Sequence, residues 1–280
     1  MDQPVCILVV AHNQEELLLQ LLAKLQHPQV RVFVHIDKKS QPLYEKLATI
    51  QPSINLIQNR VDVKWAHITQ LQAYFASYKE IVAAGHSFDH FLVISGQDYP
   101  VVSMAEMVNY LSKQKNKSFL SYVPLSKEGW AGARKRYRYH YYIRMEKLWR
   151  GLMMLTGIRR EFPFGLKPFG GSQWINLCRK HMDYIIDFCD KHVSLMNFMT
   201  TVRFPEEMLL QTLLLNSEYK NDCINDDLRF IKWIHGKSNP EILKAEYFDE
   251  INDGGIKFFA RKMEKQQSAS LLVLLNEQNK

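Results

Sequence analysis

Nowhere in the 280 residues are two aspartates separated by a single residue. The Asp-x-Asp pair that would hold a divalent cation against a diphosphate is therefore missing, and a bound anion must be met by basic side chains. No Cys-x-x-Cys pair occurs either. Cys6, Cys178, Cys189 and Cys223 are scattered along the chain, which argues against a zinc or redox motif and for buried free thiols in a reducing, cytoplasmic setting. No apolar run approaches the ~20 residues that span a bilayer. The first apolar stretch, Val5 to Ala11, follows Asp2 rather than a basic region, so neither a signal peptide nor a membrane anchor is expected. Internal repeats and low-complexity segments are also absent.

What is present is a chain able to bury a large core, with 46% hydrophobic and 23% charged residues; one large domain or two closely joined ones would fit. The formal charge of +7 favours an acidic partner: a nucleotide diphosphate, an anionic phospholipid surface or nucleic acid. The N-terminal half alternates short apolar runs with helical periodicity, the pattern of a parallel, Rossmann-like sheet covered by helices. Strands are predicted at Cys6 to Val10, Val30 to Ile36, Asn55 to Gln58 and His90 to Ser95, with helices at Glu15 to Leu25, Pro42 to Ile50 and Ile68 to Ala84. From about Ser118 the rhythm changes. Strands are expected at Phe119 to Val123 and Gln173 to Leu177, a helix from Pro205 to about Leu215, and a charged helical tail from Glu241 to Lys265. This divides the chain into a nucleotide-binding half, 1–117, and an acceptor-binding and catalytic half, 118–280, of the same domain.

In open α/β sheets ligands sit beyond the carboxyl ends of the strands. His12 with Asn13, Asp37 with Lys38 and Lys39, and Gln97 with Asp98 each follow a predicted strand. Each alone reads equally as a turn residue or helix cap; together they mark one edge. The run Arg134 to Tyr142 alternates basic and aromatic residues. Extended, it would set Arg134, Arg136 and Arg138 on one face and Tyr137, Tyr139 and Tyr141 on the other, a surface suited to sugar stacking, to single-stranded RNA, or merely to blunting a strand edge. Glu206 and Glu207 follow Pro205; such first-turn carboxylates serve a helix dipole or, alternatively, proton transfer. His86 and His90 are four apart, but Gly85 and the following strand make this a surface turn and not a metal site.

Six segments occur in one order: Val34 to Ser40, Ser95 to Pro100, Gly171 to Trp174, Phe204 to Glu207, Leu228 to Trp233 and Phe259 to Lys262. In that order the chain resembles the core-2/I-branching β-1,6-N-acetylglucosaminyltransferase family, which includes the protein xylosyltransferases, from about Pro4 to Met263. The resemblance implies a GT-A glycosyltransferase fold, a Rossmann-like mixed α/β sheet flanked by helices. It also implies an inverting transfer from a UDP-sugar, N-acetylglucosamine or xylose, to a glycan hydroxyl. No cofactor and no metal are then expected, the UDP-sugar being the donor substrate. Glu207 matches the catalytic glutamate of the family's Pro-Asp-Glu segment, with Glu206 in place of the aspartate. Lys262 matches a cation for the diphosphate, with Arg229 as its partner, while His12, Asp37, Lys38, Gln97 and Asp98 are expected on the nucleotide-sugar.

The acceptor, a glycan or lipid-linked glycan, is expected against Arg136, Tyr139, Ser172 and Trp174. The match is thinnest from Lys127 to Pro168, where the family's acceptor sites diverge. The disulfides and anchor of the animal Golgi members are missing, which points to a bacterial cytoplasmic enzyme of surface-polysaccharide synthesis, with peripheral contact to anionic membrane as an extension. A nucleic-acid-binding protein, or an inactive sugar-nucleotide binder, is the alternative.

Overall fold

The computed structural model describes residues 4–50, 54–126, 128–141, 159–234, 236 and 239–279. Three strands with near-continuous apolar sequence, β1 (Val5–Ala11), β2 (Val30–Ile36) and β3 (His90–Ser95), pair in parallel with β1 in the middle. Buried on both sides, β1 needs no polar face. Its alternating side chains feed two cores. Val5, Ile7 and Val9 meet Leu18, Leu21 and Leu22 of α1 (Glu15–Lys24) and Met107 and Leu111 of α4 (Met104–Ser112). Cys6 and Leu8 meet Leu71, Tyr74 and Tyr78 of α3 (Thr69–Ala83), together with the later helices Arg179–Lys191 and Leu209–Leu215. Helix α2 (Gln41–Ala48) lies between β2 and α3 in the chain and buries only Leu47. The start of α4 is fixed by a capping box in which Ser103 and Glu106 satisfy each other's backbone N–H groups.

The sheet does not stop with the first half. Between β3 and β8 lie β4 (Tyr99–Pro100), β5 (Ser118–Phe119), β6 (Val123–Pro124) and β7 (Phe169–Gly170). β8 (Asn176–Cys178) runs antiparallel to β3, and β5 and β9 (Cys223–Ile224) extend the sheet to the order β2-β1-β3-β8-β5-β9. The result is the Rossmann-like mixed sheet flanked by helices that the GT-A expectation describes, with both halves of the chain sharing it. A second, three-stranded sheet joins β4 to β10 (Arg229–Ile231) and β11 (Phe259–Arg261). The helix Ala269–Gln278 packs on it through Leu271, Leu272 and Leu275.

Several sequence expectations change. Asn55 to Gln58 is not a strand but a single bridge, Val34 to Leu56. The segment from Pro205 is not one helix: a short turn, Pro205–Glu207, is separated from Leu209–Leu215 by Met208, whose φ of −142° is not helical. The tail from Glu241 is not helical throughout. Gly254 and Gly255 both have positive φ, so the five-residue helix Phe248–Asn252 ends before them and the chain returns as β11. His90 is no surface turn, being buried at the start of β3. Among the described residues no helix is long and apolar enough to cross a membrane.

Candidate active site

Because β1, β2 and β3 are parallel, the loops leaving them share one edge, and there the molecule opens into a cleft of about 1030 Å³. His12, Asp37 and Gln97 line it. Asp37 is nearly buried; its Oδ1 accepts from the Lys39 amide at 2.9 Å, and Lys39 Nζ stands 3.2 Å from Oδ2. Gln97 is tied to the C-terminal segment, its carbonyl accepting from the Met263 amide at 2.8 Å. That bond holds this strand-end edge against the loop bearing Lys262. Lys38 and Asp98 do not line the cleft. Lys38 is exposed. Asp98 is fully buried, accepting from the Ser95 amide at 2.6 Å, Ser95 Oγ at 2.5 Å and Arg261 Nη1 at 3.1 Å. It can act on a ligand only through Ser95 and Arg261, which do line the cleft.

Arg229, Arg261 and Lys262 line the same cleft, as do Arg136 and Arg203. Arg261 lies 3.9 Å over the Trp174 ring while Asp98 fixes its orientation. Arg229 is buried and donates to the carbonyls of Asp227 and Val93, each at 2.7 Å, whereas its Nε has no partner. Lys262 is held below the ordinary lysine pKa, first by burial and then by neighbouring Arg261. An incoming anion would oppose both effects by favouring the charged form. Trp174, expected on the acceptor, is nearly buried and supports Arg261 from the cleft wall; Ser172 also lines the cleft, and its hydroxyl donates to the Asp227 carboxyl, whose pKa burial raises.

The basic aromatic run is not extended. Ala131–Arg134 is a short turn leading into a one-turn helix, α5 (Lys135–Arg138), so the alternating faces do not form. Tyr137 and Tyr141 are buried, Tyr137 against Phe162 with ring centroids 5.7 Å apart. No tyrosine platform of the kind a single strand of RNA needs is displayed by these residues. Tyr139 does not line the cleft, and Tyr142 lies outside the described residues. Arg136 does line it, and is committed to another side chain: Nη1 donates to Glu207 Oε2 at 2.5 Å. Its guanidinium is sandwiched by Trp130 at 4.3 Å and Phe204 at 4.8 Å. Only the helical turn and the pairing across 71 residues of sequence bring these groups together; no local pattern announces them.

Glu207 is presented by an unusual piece of backbone. Phe204 adopts a left-handed φ of 56°, and Pro205 opens the turn that carries both glutamates. The Glu207 carbonyl accepts from the Gly171 amide at 2.9 Å. A Cβ at Gly171 would lie 1.8 Å from the Ser121 carbonyl oxygen, so only glycine permits this approach. The two glutamates differ sharply. Glu207 is half-buried and ion-paired with Arg136; Glu206 is 4% exposed, and burial, reinforced by the charge of Glu207, pushes its carboxyl up to about 8.

That shift has a measurable sign. Between pH 5 and 8 the unfolded chain releases the Glu206 proton and the folded chain keeps it, so wild-type stability falls with rising pH by at most about 1.4 kcal/mol per unit from this group. Glu206→Gln lacks the slope. Its melting temperature should gain on wild type steadily from pH 5 to 8, and a constant difference would show that Glu206 is not neutral.

The profile of the Core-2/I-Branching enzyme family matches residues 7–257. The chain belongs to that family. It is 28% identical over 293 residues to xylosyltransferase 2 of Rattus norvegicus, covering 96% of this chain and 33% of the rat protein. It is 27% identical over 303 residues to xylosyltransferase 2 of Homo sapiens, covering 99% and 34%. The chain thus spans about a third of the length of these curated relatives. The crystal structure of mouse xyloside xylosyltransferase 1, apo form, covers 93% of this chain and 97% of its own at 10% identity and a TM-score of 0.38.

Proposed function

We propose that this domain is an inverting glycosyltransferase that moves a sugar from a UDP-sugar to a glycan hydroxyl without a divalent cation. One observation carries the reading: a single cleft is lined by the strand-end residues His12, Asp37 and Gln97, by the cations Arg229, Arg261 and Lys262, and by the Arg136-paired carboxylate of Glu207. Glu207 takes the proton of the acceptor hydroxyl as that oxygen attacks the anomeric carbon from the face opposite the diphosphate. The bond from that carbon to the diphosphate oxygen breaks, its electron pair leaves with UDP, and the cations meet the growing charge. Arg136 holds Glu207 Oε2, leaving Oε1 to the acceptor. Exposed Trp65 and Trp233 on the cleft rim offer faces for sugar rings.

The xylosyltransferase relatives favour xylose as the transferred sugar, with N-acetylglucosamine next. The four cysteines are free and buried, which is what a reducing cytoplasmic setting requires; assembly of a surface polysaccharide there is part of the same proposal. UDP release by the purified domain, measured with UDP-xylose, UDP-N-acetylglucosamine and UDP-galactose in turn, tests the donor. UDP-xylose should be turned over fastest; preference for UDP-N-acetylglucosamine would reassign the sugar, and no release from any of them would reject the reading.

A further inference from the structure

The floor of the cleft carries a carboxyl with no assigned task. Glu206 lines the cleft, is 4% exposed, and its Oε2 has no hydrogen-bond partner. Beside it stands Tyr74 of α3, also on the floor, whose hydroxyl accepts from Gln70 Nε2 at 2.8 Å and donates to Gln173 Oε1 at 3.1 Å. Tyr74 is therefore already engaged with its neighbours. The charged groups that act on Glu206 are Glu207, from the next position, and Arg136, from α5, and Arg136 is already bonded to Glu207. Lacking a cation of its own, the buried carboxyl stays neutral at pH 7. A neutral carboxyl offers one O–H donor and an acceptor oxygen, the same pair of functions that a sugar hydroxyl offers.

Position decides which part of a substrate meets it. Helix α3, which bears Tyr74, packs against the Pro205–Glu207 turn that carries Glu206, and the Tyr74 hydroxyl bonds Gln173, the neighbour of Trp174 beneath Arg261; all of these line the cleft, so one short run of contacts joins Glu206 to the cation cluster. On the proposed reading, the diphosphate lies at the cations and the acceptor oxygen at Glu207. The pyranose ring joins them, because its anomeric carbon is bonded to the first and attacked by the second. We infer that Glu206 is a donor-sugar contact, its carboxyl exchanging hydrogen bonds with a hydroxyl of the transferred sugar. It contributes to choosing the sugar, and takes no part in the proton transfer assigned to Glu207. A site built to bond a hydroxyl discriminates against substrates that leave its polar group unpaired.

The inference rests on the UDP-sugar reading of the cleft, and the experiment separates the two. The rate of UDP release from UDP-xylose and UDP-N-acetylglucosamine and the inhibition constant of UDP itself are measured for wild type, Glu206→Met and Glu206→Gln. Methionine keeps the bulk and removes the hydrogen bonds, so kcat/KM for the preferred UDP-sugar should fall about 10- to 100-fold while UDP inhibition stays within about twofold. Glutamine, a neutral donor and acceptor, should recover most of that loss. An unchanged kcat/KM in Glu206→Met would overturn the inference, as would an equal loss of UDP inhibition or a failure of glutamine to recover activity. If wild type neither releases nor is inhibited by UDP, the reading of the cleft itself falls and takes this contact with it.

Discussion

Glu207→Gln should lower kcat for transfer by about 10²- to 10⁴-fold, the usual worth of a general base, while leaving UDP-sugar affinity nearly intact. The amide keeps the shape of the side chain and can still accept from Arg136 Nη1, which now bonds Glu207 Oε2 at 2.5 Å. It cannot take a proton from the acceptor hydroxyl. The loss is thus confined to the transition state, so kcat and kcat/KM for the acceptor should drop together. Glu206→Gln is the matched control, one position away on the same turn. Burial pushes its carboxyl up to about 8, so near pH 7 an amide there changes little charge and should cost far less activity. Single-turnover rates with saturating donor would show the ranking, and a larger loss in Glu206→Gln would move the base to that residue.

The resemblance set Glu207 apart from Glu206, but the difference in their burial and pairing could not be read from the sequence. Arg203 to Met208 presents them as equivalent first-turn acids, and the left-handed Phe204 that rotates one inward and the other toward Arg136 is a property of the folded backbone. The same holds for Arg136. As one of four arginines and lysines from 134 to 138 it resembled part of a solvated or acceptor-facing stripe; its partner lies 71 residues away. Asp98 illustrates a converse error. A polar residue after a strand was expected on the ligand, but a carboxylate with three donors within 3.1 Å is a structural anchor for Arg261.

The first half of the fold was legible because its strands are long and buried on both faces, so that β1, β2 and β3 register as unbroken apolar runs with helical periodicity between them. In the second half β5, β6, β7 and β9 are two residues each. Too short to carry a period, they exist because distant partners pair with them, as Ser118 does with Cys223. Trp130, Trp65 and Asp227, which shape the cleft, likewise sit in no local pattern. The Gly170-Gly171 pair was the one available signal, since adjacent glycines before a strand suggest a close backbone approach.

Lys262→Ala should depress kcat by about 10²- to 10³-fold, whereas excess EDTA should change wild-type activity by less than about twofold. Two separate observations lead there. The chain has no Asp-x-Asp pair, and the cleft instead gathers Arg229, Arg261 and Lys262. The two arginines are pinned, Arg261 by Asp98 and Trp174 and Arg229 by two backbone carbonyls. Neither can move far to follow charge as it shifts from the breaking bond to the departing phosphate oxygens. Lys262, on a flexible stem and half-buried, can. Its pKa, already lowered by burial and Arg261, should rise as the dianionic leaving group forms, which is stabilisation concentrated in the transition state and not in the ground state. The alanine variant should therefore lose kcat more than donor affinity, and the alkaline limb of the wild-type kcat/KM profile, which reports the free enzyme, should fall below the ordinary lysine range. Loss of activity in EDTA with recovery in manganese would instead assign the leaving group to a metal.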